Sequence, residues 1–202
     1  DPAQDRKSIA EAVKVAQRAD VVILAIGDNE QTSREAWALN HLGDRASLDL
    51  VGLQEELIDA IAATGKPIIA ILFNGRPISI RNLTTKAAAI FECWYLGQET
   101  GRALAEALFG DINPSGKLPI TIPRSVGHIP AYYNHKPAAR RGYLFDDVTP
   151  LYAFGFGLSY TQFQFGKPRL KKSVIGKNES TAVRVDVTNT GPRAGDEVVQ
   201  MY

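Results

Sequence analysis

Hydrophobic side chains follow two different spacings along the first 125 residues of the chain. Residues 8–18 carry apolar side chains at helical spacing, and Ser8 with Glu11 three residues later fits a capping box at the helix start. Residues 21–27 form a continuous apolar, β-branched run, which is typical of a strand covered on both faces. The alternation then continues as helix, strand, strand, helix and short strand over residues 52–63, 68–73, 87–94, 99–109 and 118–122.

Strands that alternate with helices favour a parallel sheet with helices on both faces. Pro119 has no N–H to donate to a neighbouring strand, so the last strand is expected at an edge of the sheet. Beyond residue 165 the helical spacing is lost, and residues 183–187 alternate between apolar and charged side chains. We therefore predict the α/β class, with a mostly parallel sheet sandwiched between helices over residues 1–165, followed by an incomplete β-sandwich over residues 166–202.

The charge balance argues against two classes of main partner. The chain has 23 Lys and Arg against 22 Asp and Glu, whereas binding to nucleic acid or to an anionic membrane needs a clear positive excess. Cys93 is the single cysteine, and its place in a predicted strand favours a small core residue over a nucleophile. The three histidines are scattered without metal-ligand spacing, so we expect neither a metal nor another cofactor.

The candidate catalytic and binding residues are concentrated in the long polar stretch after residue 27. Ligands of parallel sheets bind beyond the carboxyl ends of the strands, and this stretch follows such an end. Its acidic, basic and aromatic residues are Asp28, Glu30, Arg34, Glu35, Trp37, His41, Asp44, Arg45 and Asp49. A carboxyl group here would suit proton transfer, while a solvated loop whose charges pair with one another is the alternative. A phosphate site is disfavoured, because no G-x-G-x-x-G string is present and the acids would repel an anion.

Several strings resemble the C-terminal α/β-sandwich domain of glycoside hydrolase family 3, the β-glucosidase type. They are Ser33-Arg34-Glu35-Ala36, Asn74-Gly75-Arg76-Pro77, Leu96-Gly97-Gln98-Glu99-Thr100-Gly101 and the runs at residues 109–119 and 154–161. Residues from about 180 onward resemble the start of the fibronectin type III-like domain that follows it in that family. The resemblance covers essentially the whole chain.

The resemblance implies a retaining glycosidase, which uses one carboxyl group as nucleophile and a second as acid/base. In this family the nucleophile is an Asp on a preceding barrel domain, which is absent from these 202 residues. The acid/base comes from the first long loop of the α/β domain. By position this role falls on Glu35, with Glu30 and Asp28 as alternatives, and Arg34 and Trp37 become candidates for substrate binding.

The implied function is that of one part of a β-glucosidase that removes terminal β-linked glucose from oligosaccharides such as cellobiose, or from glycosides. Its expected partners are those sugars and the barrel part of the same enzyme, and we expect the isolated chain to be inactive. A homodimer is possible, but the sequence does not decide the oligomeric state. The resemblance favours a periplasmic or secreted location. A non-catalytic sugar-binding or structural module is the alternative function. Sugar and linkage specificity do not follow from the sequence.

Overall fold

The computed structural model describes residues 1–29, 31–32, 45–136 and 142–201. The chain divides into two compact units, the first made of residues 1–100 with 119–154 and the second of residues 101–118 with 155–202.

A parallel sheet with flanking helices forms the described part of the first unit. Its helices are Pro2–Gln17 (α1), Gln54–Ala62 (α2) and Arg81–Lys86 (α3), and its strands are Val22–Gly27 (β1), Ile68–Phe73 (β2) and Ala89–Glu92 (β3). Both neighbouring strand pairs are parallel, in the order β1-β2-β3. The predicted α/β class is therefore confirmed.

Helix α1 begins six residues earlier than predicted, at Pro2 rather than at residue 8. The side chain of Asp1 accepts a hydrogen bond of 2.9 Å from the N–H of Ala3, and Pro2 suits the first helical turn because its missing N–H would have no partner there. Ser8, the predicted cap, lies inside the helix and donates its hydroxyl hydrogen to the carbonyl of Gln4. The Asp-Pro start is the stronger cap, so the helix extends back to it.

The core of this unit lies on one face of the sheet. It consists of alternate side chains of β1 and β2 together with residues of the helices, namely Leu24, Ile26, Ile68, Ala70, Leu72, Ala16, Ile58, Ile61 and Leu83. On the opposite face Ile23 is 55% exposed and Ala25 is also exposed. The prediction that β1 is covered on both faces is thus wrong at Ile23 and Ala25, because alternate residues of a strand point to opposite faces and these two side chains are exposed in the described part of the chain.

The predicted strand at residues 118–122 is also wrong. Ile122 forms one isolated antiparallel bridge with Tyr152, whose carbonyl accepts the N–H of Ile122 at 2.8 Å. The apolar run is interrupted by Pro119, which cannot donate to a ladder, so a single bridge replaces the strand.

The second unit contains helix α4 and four short strands. Helix α4 spans Thr100–Phe109, and its first residue still belongs to the first unit. The strands are Phe163–Phe165 (β4), Arg169–Leu170 (β5), Val183–Arg184 (β6) and Val187–Asn189 (β7), paired antiparallel as β4 with β7 and β5 with β6. Asn113 joins parts of this unit, because its Oδ1 accepts hydrogen bonds from the N–H of Tyr160 at 2.7 Å and from the hydroxyl of Ser159 at 2.9 Å. Among the described residues, no helix is both long and apolar enough to cross a membrane.

Candidate active site

Three parallel strands end at the same edge of the first unit's sheet. Gly27 at the end of β1 pairs with Phe73 at the end of β2, and Glu92 is the last residue of β3. A cleft of about 300 Å³ opens at this edge. Its lining includes Gly27, Asp28, Asn29, Thr32, Gln54 and Phe73. The residue with which the long polar stretch begins, Asp28, therefore lies where a ligand of a parallel sheet is expected.

The end of β1 is fixed by glycine geometry and by one amide side chain. Gly27 has φ of 140°, and a Cβ atom there would lie 1.9 Å from the carbonyl oxygen of Phe73, so no other residue fits. The side chain of Gln54, at the start of α2, forms hydrogen bonds with both the backbone N–H and the carbonyl of Gly27. Its Oε1 accepts the N–H at 2.7 Å, and its Nε2 donates to the carbonyl at 2.8 Å.

Asp28 is buried and held through its backbone and its carboxylate. Its N–H donates to the carbonyl of Phe73 at 2.9 Å, and its own carbonyl accepts the hydroxyl of Tyr95 at 3.0 Å. Tyr95 lies over Gly75, where a Cβ atom would be 2.8 Å from the ring. The carboxylate Oδ2 of Asp28 lies 3.6 Å from Nη1 of Arg45, and the two side chains are 2% and 8% exposed.

Burial raises the pKa of Asp28, because the charged form loses its hydration. The positive charges of Arg76 and Arg45 oppose that effect and lower the pKa. Within the described residues Oδ2 of Asp28 receives no hydrogen bond, so its stabilisation comes from the nearby guanidinium charges. A buried carboxylate in this position depends on its arginines.

Glu92 is a second carboxyl group at this edge, partly buried, and sequence reasoning missed it. Burial raises its pKa to about 7, although a hydrogen bond from the N–H of Trp94 and the amide of Asn74 both lower it. Asn74 is fully buried and donates from Nδ2 to the carbonyl of Arg76 at 2.8 Å. The available signal was a lone acid at the end of an apolar strand run, where a charge has few routes to water.

The structure places some of the sequence-predicted residues and not others. Asp28 and Arg45 come together as a buried pair, whereas Asp49 is exposed and accepts a hydrogen bond of 2.6 Å from the hydroxyl of Ser47. Outside the described residues lie Glu30, Arg34, Glu35, Trp37, His41 and Asp44.

Cys93 is buried, as predicted for a core residue. Burial raises the pKa of its thiol to about 11, which leaves it protonated and a poor nucleophile. Across the described ranges, no group of histidine, cysteine and acidic side chains has the arrangement of a metal site.

A Ser–His–acid grouping elsewhere in the first unit has a structural explanation. Ser125 Oγ lies 2.9 Å from Nδ1 of His128, while Nε2 of the buried ring lies 3.1 Å from the carbonyl of Asp147 and 3.8 Å from the carboxylate of Asp146. Arg81 occupies that carboxylate with two hydrogen bonds of 2.9 and 3.2 Å. The ring is thus oriented by a backbone carbonyl, and it ties two segments of the chain together as a packing histidine.

Comparisons with known proteins identify the family to which this chain is similar. The model of the glycosyl hydrolase family 3 C-terminal domain matches residues 2–160. A β-xylosidase of Formosa agariphila is 46% identical over 98% of this chain and 27% of its own length. A periplasmic β-glucosidase of Salmonella typhimurium is 42% identical over 100% of this chain and 27% of its own length.

Solved structures of β-glucosidases are also similar to this chain. A β-glucosidase from Erythrobacter marinus superposes with a TM-score of 0.91 and 50% identity, over 96% of this chain and 26% of that chain. A β-glucosidase from Listeria innocua in complex with glucose superposes with a TM-score of 0.81 and 33% identity, over 94% of this chain and 27% of that chain. The chain therefore spans about a quarter of the length of these relatives.

Proposed function

This chain belongs to glycosyl hydrolase family 3, whose C-terminal domain it carries, and from that premise we propose that it supplies the acid/base to a retaining β-glucosidase. The observation that carries the proposal is the match over residues 2–160 to a glycosidase domain. In this chain β1 is followed by Asp28, the first residue of the acidic segment, at the open edge of the sheet. The rest of the active site, including the nucleophile, would come from a barrel domain outside these 202 residues. Residues 166–202 would begin a fibronectin type III-like domain.

The proposed mechanism assigns two steps to Glu35. In the first, protonated Glu35 donates its proton to the glycosidic oxygen while an Asp of the barrel attacks the anomeric carbon, so the leaving sugar departs as a neutral alcohol. In the second, the Glu35 carboxylate takes a proton from water as the water oxygen attacks the same carbon and releases the Asp. Arg34 and Trp37 flank Glu35 in the sequence and are proposed to bind the substrate.

The burial of Asp28 argues against Asp28 as the acid/base. The Asp28 side chain is only 2% exposed and faces Arg45, whereas a general acid must reach the glycosidic oxygen. Glu30 remains the alternative acid/base, and mutation of each residue separates the two.

The sugar is proposed to be β-linked glucose, with cellobiose as a representative substrate. Of the four similar proteins named above, three are β-glucosidases, one found by sequence and two by structure, and the fourth is a β-xylosidase. β-Xylosides are therefore the second candidate. Glucose and xylose differ by one hydroxymethyl group. The ratio of kcat/KM for aryl β-glucoside and aryl β-xyloside therefore decides between the two activities.

Glu35→Gln in a polypeptide that joins this chain to its barrel tests the proposal. Loss of general-acid catalysis should lower kcat/KM on cellobiose by about 10²- to 10⁴-fold. It should lower kcat/KM far less on dinitrophenyl β-glucoside, because kcat/KM reports the steps up to formation of the glycosyl–enzyme and this leaving group needs no proton. Glu30→Gln is the matched control and should retain most activity on both substrates. Unchanged turnover of cellobiose by Glu35→Gln would refute the assignment.

The activity of the chain by itself tests the shared active site. We expect no hydrolysis of aryl glucoside by the isolated chain, and hydrolysis once the barrel part is added. Sugar binding without hydrolysis in the mixture would instead support a non-catalytic module.

A further inference from the structure

Tyr95 presents an exposed aromatic ring at the edge of the sheet where β1, β2 and β3 end. It is the third residue after β3, and it is 58% exposed. Among the described residues it belongs neither to the hydrophobic core nor to the side chains packed against that core. Burial of apolar surface therefore does not explain why an aromatic ring lies at this position.

The hydroxyl group of Tyr95 is anchored beside the cleft. It donates a hydrogen bond of 3.0 Å to the carbonyl of Asp28. Asp28 lines the cleft of about 300 Å³ and is the first residue after β1. The N–H of Asp28 donates in turn to the carbonyl of Phe73 at 2.9 Å, so the residue that accepts the Tyr95 hydroxyl is itself fixed to β2.

The space that the ring occupies is left free by Gly75. The ring lies over this glycine in the turn after β2, where a Cβ atom would be 2.8 Å from Cε2 and 3.2 Å from the hydroxyl oxygen of Tyr95. The turn itself is held by the buried side chain of Asn74, whose Nδ2 donates to the carbonyl of Arg76 at 2.8 Å. A side chain at position 75 would therefore displace the ring.

The backbone directly before Tyr95 has an uncommon conformation. The N–H of Cys93 still donates to the carbonyl of Leu72 on β2 at 3.0 Å, but Trp94 then has φ of 48°. Bulky side chains rarely adopt this left-handed conformation, and residues of this kind cluster at active sites and ligand-binding segments. A functional role of the Tyr95 ring would explain why the chain accepts this conformation where it leaves the sheet.

We propose that Tyr95 is a substrate-binding residue whose ring stacks on the leaving-group sugar, which in cellobiose is the second glucose. The C–H groups of a pyranose form an apolar face, and an aromatic ring that is already fixed can bind this face without losing further side-chain freedom. This inference rests on the proposed function, since it assumes that glycosidic bonds are cleaved at this edge of the sheet. Tyr95 is not proposed to transfer a proton.

The leaving-group sugar fits this position better than the terminal glucose does. The nucleophile forms its bond with the anomeric carbon of the terminal glucose, so that sugar must lie against the proposed barrel. The acid/base, proposed on this chain, protonates the oxygen that departs with the leaving-group sugar. Tyr95 contacts Asp28, the first residue of the acidic segment, and is therefore placed on the leaving-group side.

Tyr95→Leu, in the enzyme that contains this chain and its barrel, removes the ring and keeps an apolar side chain. We expect kcat/KM on cellobiose to fall by about tenfold, mainly through KM, because stacking holds the sugar both before and during bond cleavage. β-Glucosyl fluoride has a leaving group without a sugar ring, so kcat/KM on this substrate should change by less than about threefold.

Two further variants separate stacking from a purely structural role. Tyr95→Phe keeps the ring and should lower kcat/KM on cellobiose by less than about threefold. Gly75→Ala keeps Tyr95 but places a methyl group against its ring, so it should reproduce the selective loss on cellobiose. If Tyr95→Leu does not fold, the substrate selectivity of Gly75→Ala decides in the same way.

Tyr143→Leu is the matched control. Tyr143 is 50% exposed and its hydroxyl donates to the carbonyl of Gly127 at 2.9 Å, so it is anchored as Tyr95 is, but its ring packs against His128. Its replacement should change kcat/KM on both substrates by the same factor. A loss in Tyr95→Leu that is equal on the two substrates, or no loss at all, would overturn the proposal.

The activity of the parent enzyme separates this inference from the proposed function. A parent enzyme that hydrolyses both substrates, with no selective loss in Tyr95→Leu, refutes only the role of Tyr95. A parent enzyme that hydrolyses neither substrate refutes the proposed function, and the role of Tyr95 is refuted with it.

Discussion

Glu92 is a carboxyl group at the end of β3 that folding partly buries. Its pKa rises from an ordinary 4.5 to about 7 on burial, so the folded protein holds a proton there that the unfolded chain has already released. Stability from this group is complete below pH 4.5 and is lost as the pH rises toward 7. Each unit of pKa difference corresponds to about 1.36 kcal/mol, so the difference of about 2.5 corresponds to at most about 3 kcal/mol.

Glu92→Gln removes the titration while keeping the size and polarity of the side chain. We expect the variant to be more stable than the parent by up to about 3 kcal/mol at pH 8, and similar to it within about 1 kcal/mol at pH 4. The free energy of unfolding in urea, measured at intervals from pH 4 to pH 8, gives both values.

Exposed Glu11 on α1 provides the control for this measurement. Glu11→Gln should leave the difference in stability between pH 4 and pH 8 as it is in the parent. A parent protein whose stability does not fall between pH 4.5 and pH 8 relative to Glu92→Gln would refute the reasoning. It would show that Glu92 is solvated or paired as a carboxylate.

Two further predictions concern the backbone around the site and the first helix. Gly27→Ala should destabilise the protein by more than about 3 kcal/mol in urea unfolding, because the new Cβ would overlap the carbonyl of Phe73; a loss below about 1 kcal/mol would contradict the geometry of this strand end. Asp1→Ala should lower stability by about 1 kcal/mol through loss of the helix cap, whereas Ser8→Ala should change it by less than about 0.5 kcal/mol in the same assay. A larger loss of stability in Ser8→Ala than in Asp1→Ala would show that the helix starts at Ser8.

The sequence predicted the alternation of the first unit because buried parallel strands leave a strong local signal. The runs at residues 22–27 and 68–73 are continuously apolar, and the structure contains both strands and the helix between them. Helix α3 was missed because its six residues are mostly polar and only Leu83 is buried, so no apolar period marks it.

The sequence predicted only those parts of the site that depend on residues close together in the chain. The position of Asp28 follows from the end of one strand, and it was recognised as a candidate. Its pairing with Arg45 and the burial of Glu92 against Asn74 depend on parts of the chain that meet only after folding. The spacing of residues along the chain does not predict such contacts, because they form only when the strands pack together.

Azide rescue of a Glu35→Ala enzyme tests most directly whether this chain supplies the acid/base. With dinitrophenyl β-glucoside the glycosyl–enzyme intermediate should accumulate, because its hydrolysis needs a base, and azide attacks it without one. We predict that azide raises the turnover rate and that the product is β-glucosyl azide, with the configuration of the substrate retained. Absence of rescue and of this product in Glu35→Ala, together with both in Glu30→Ala, would contradict the assignment and place the acid/base at Glu30.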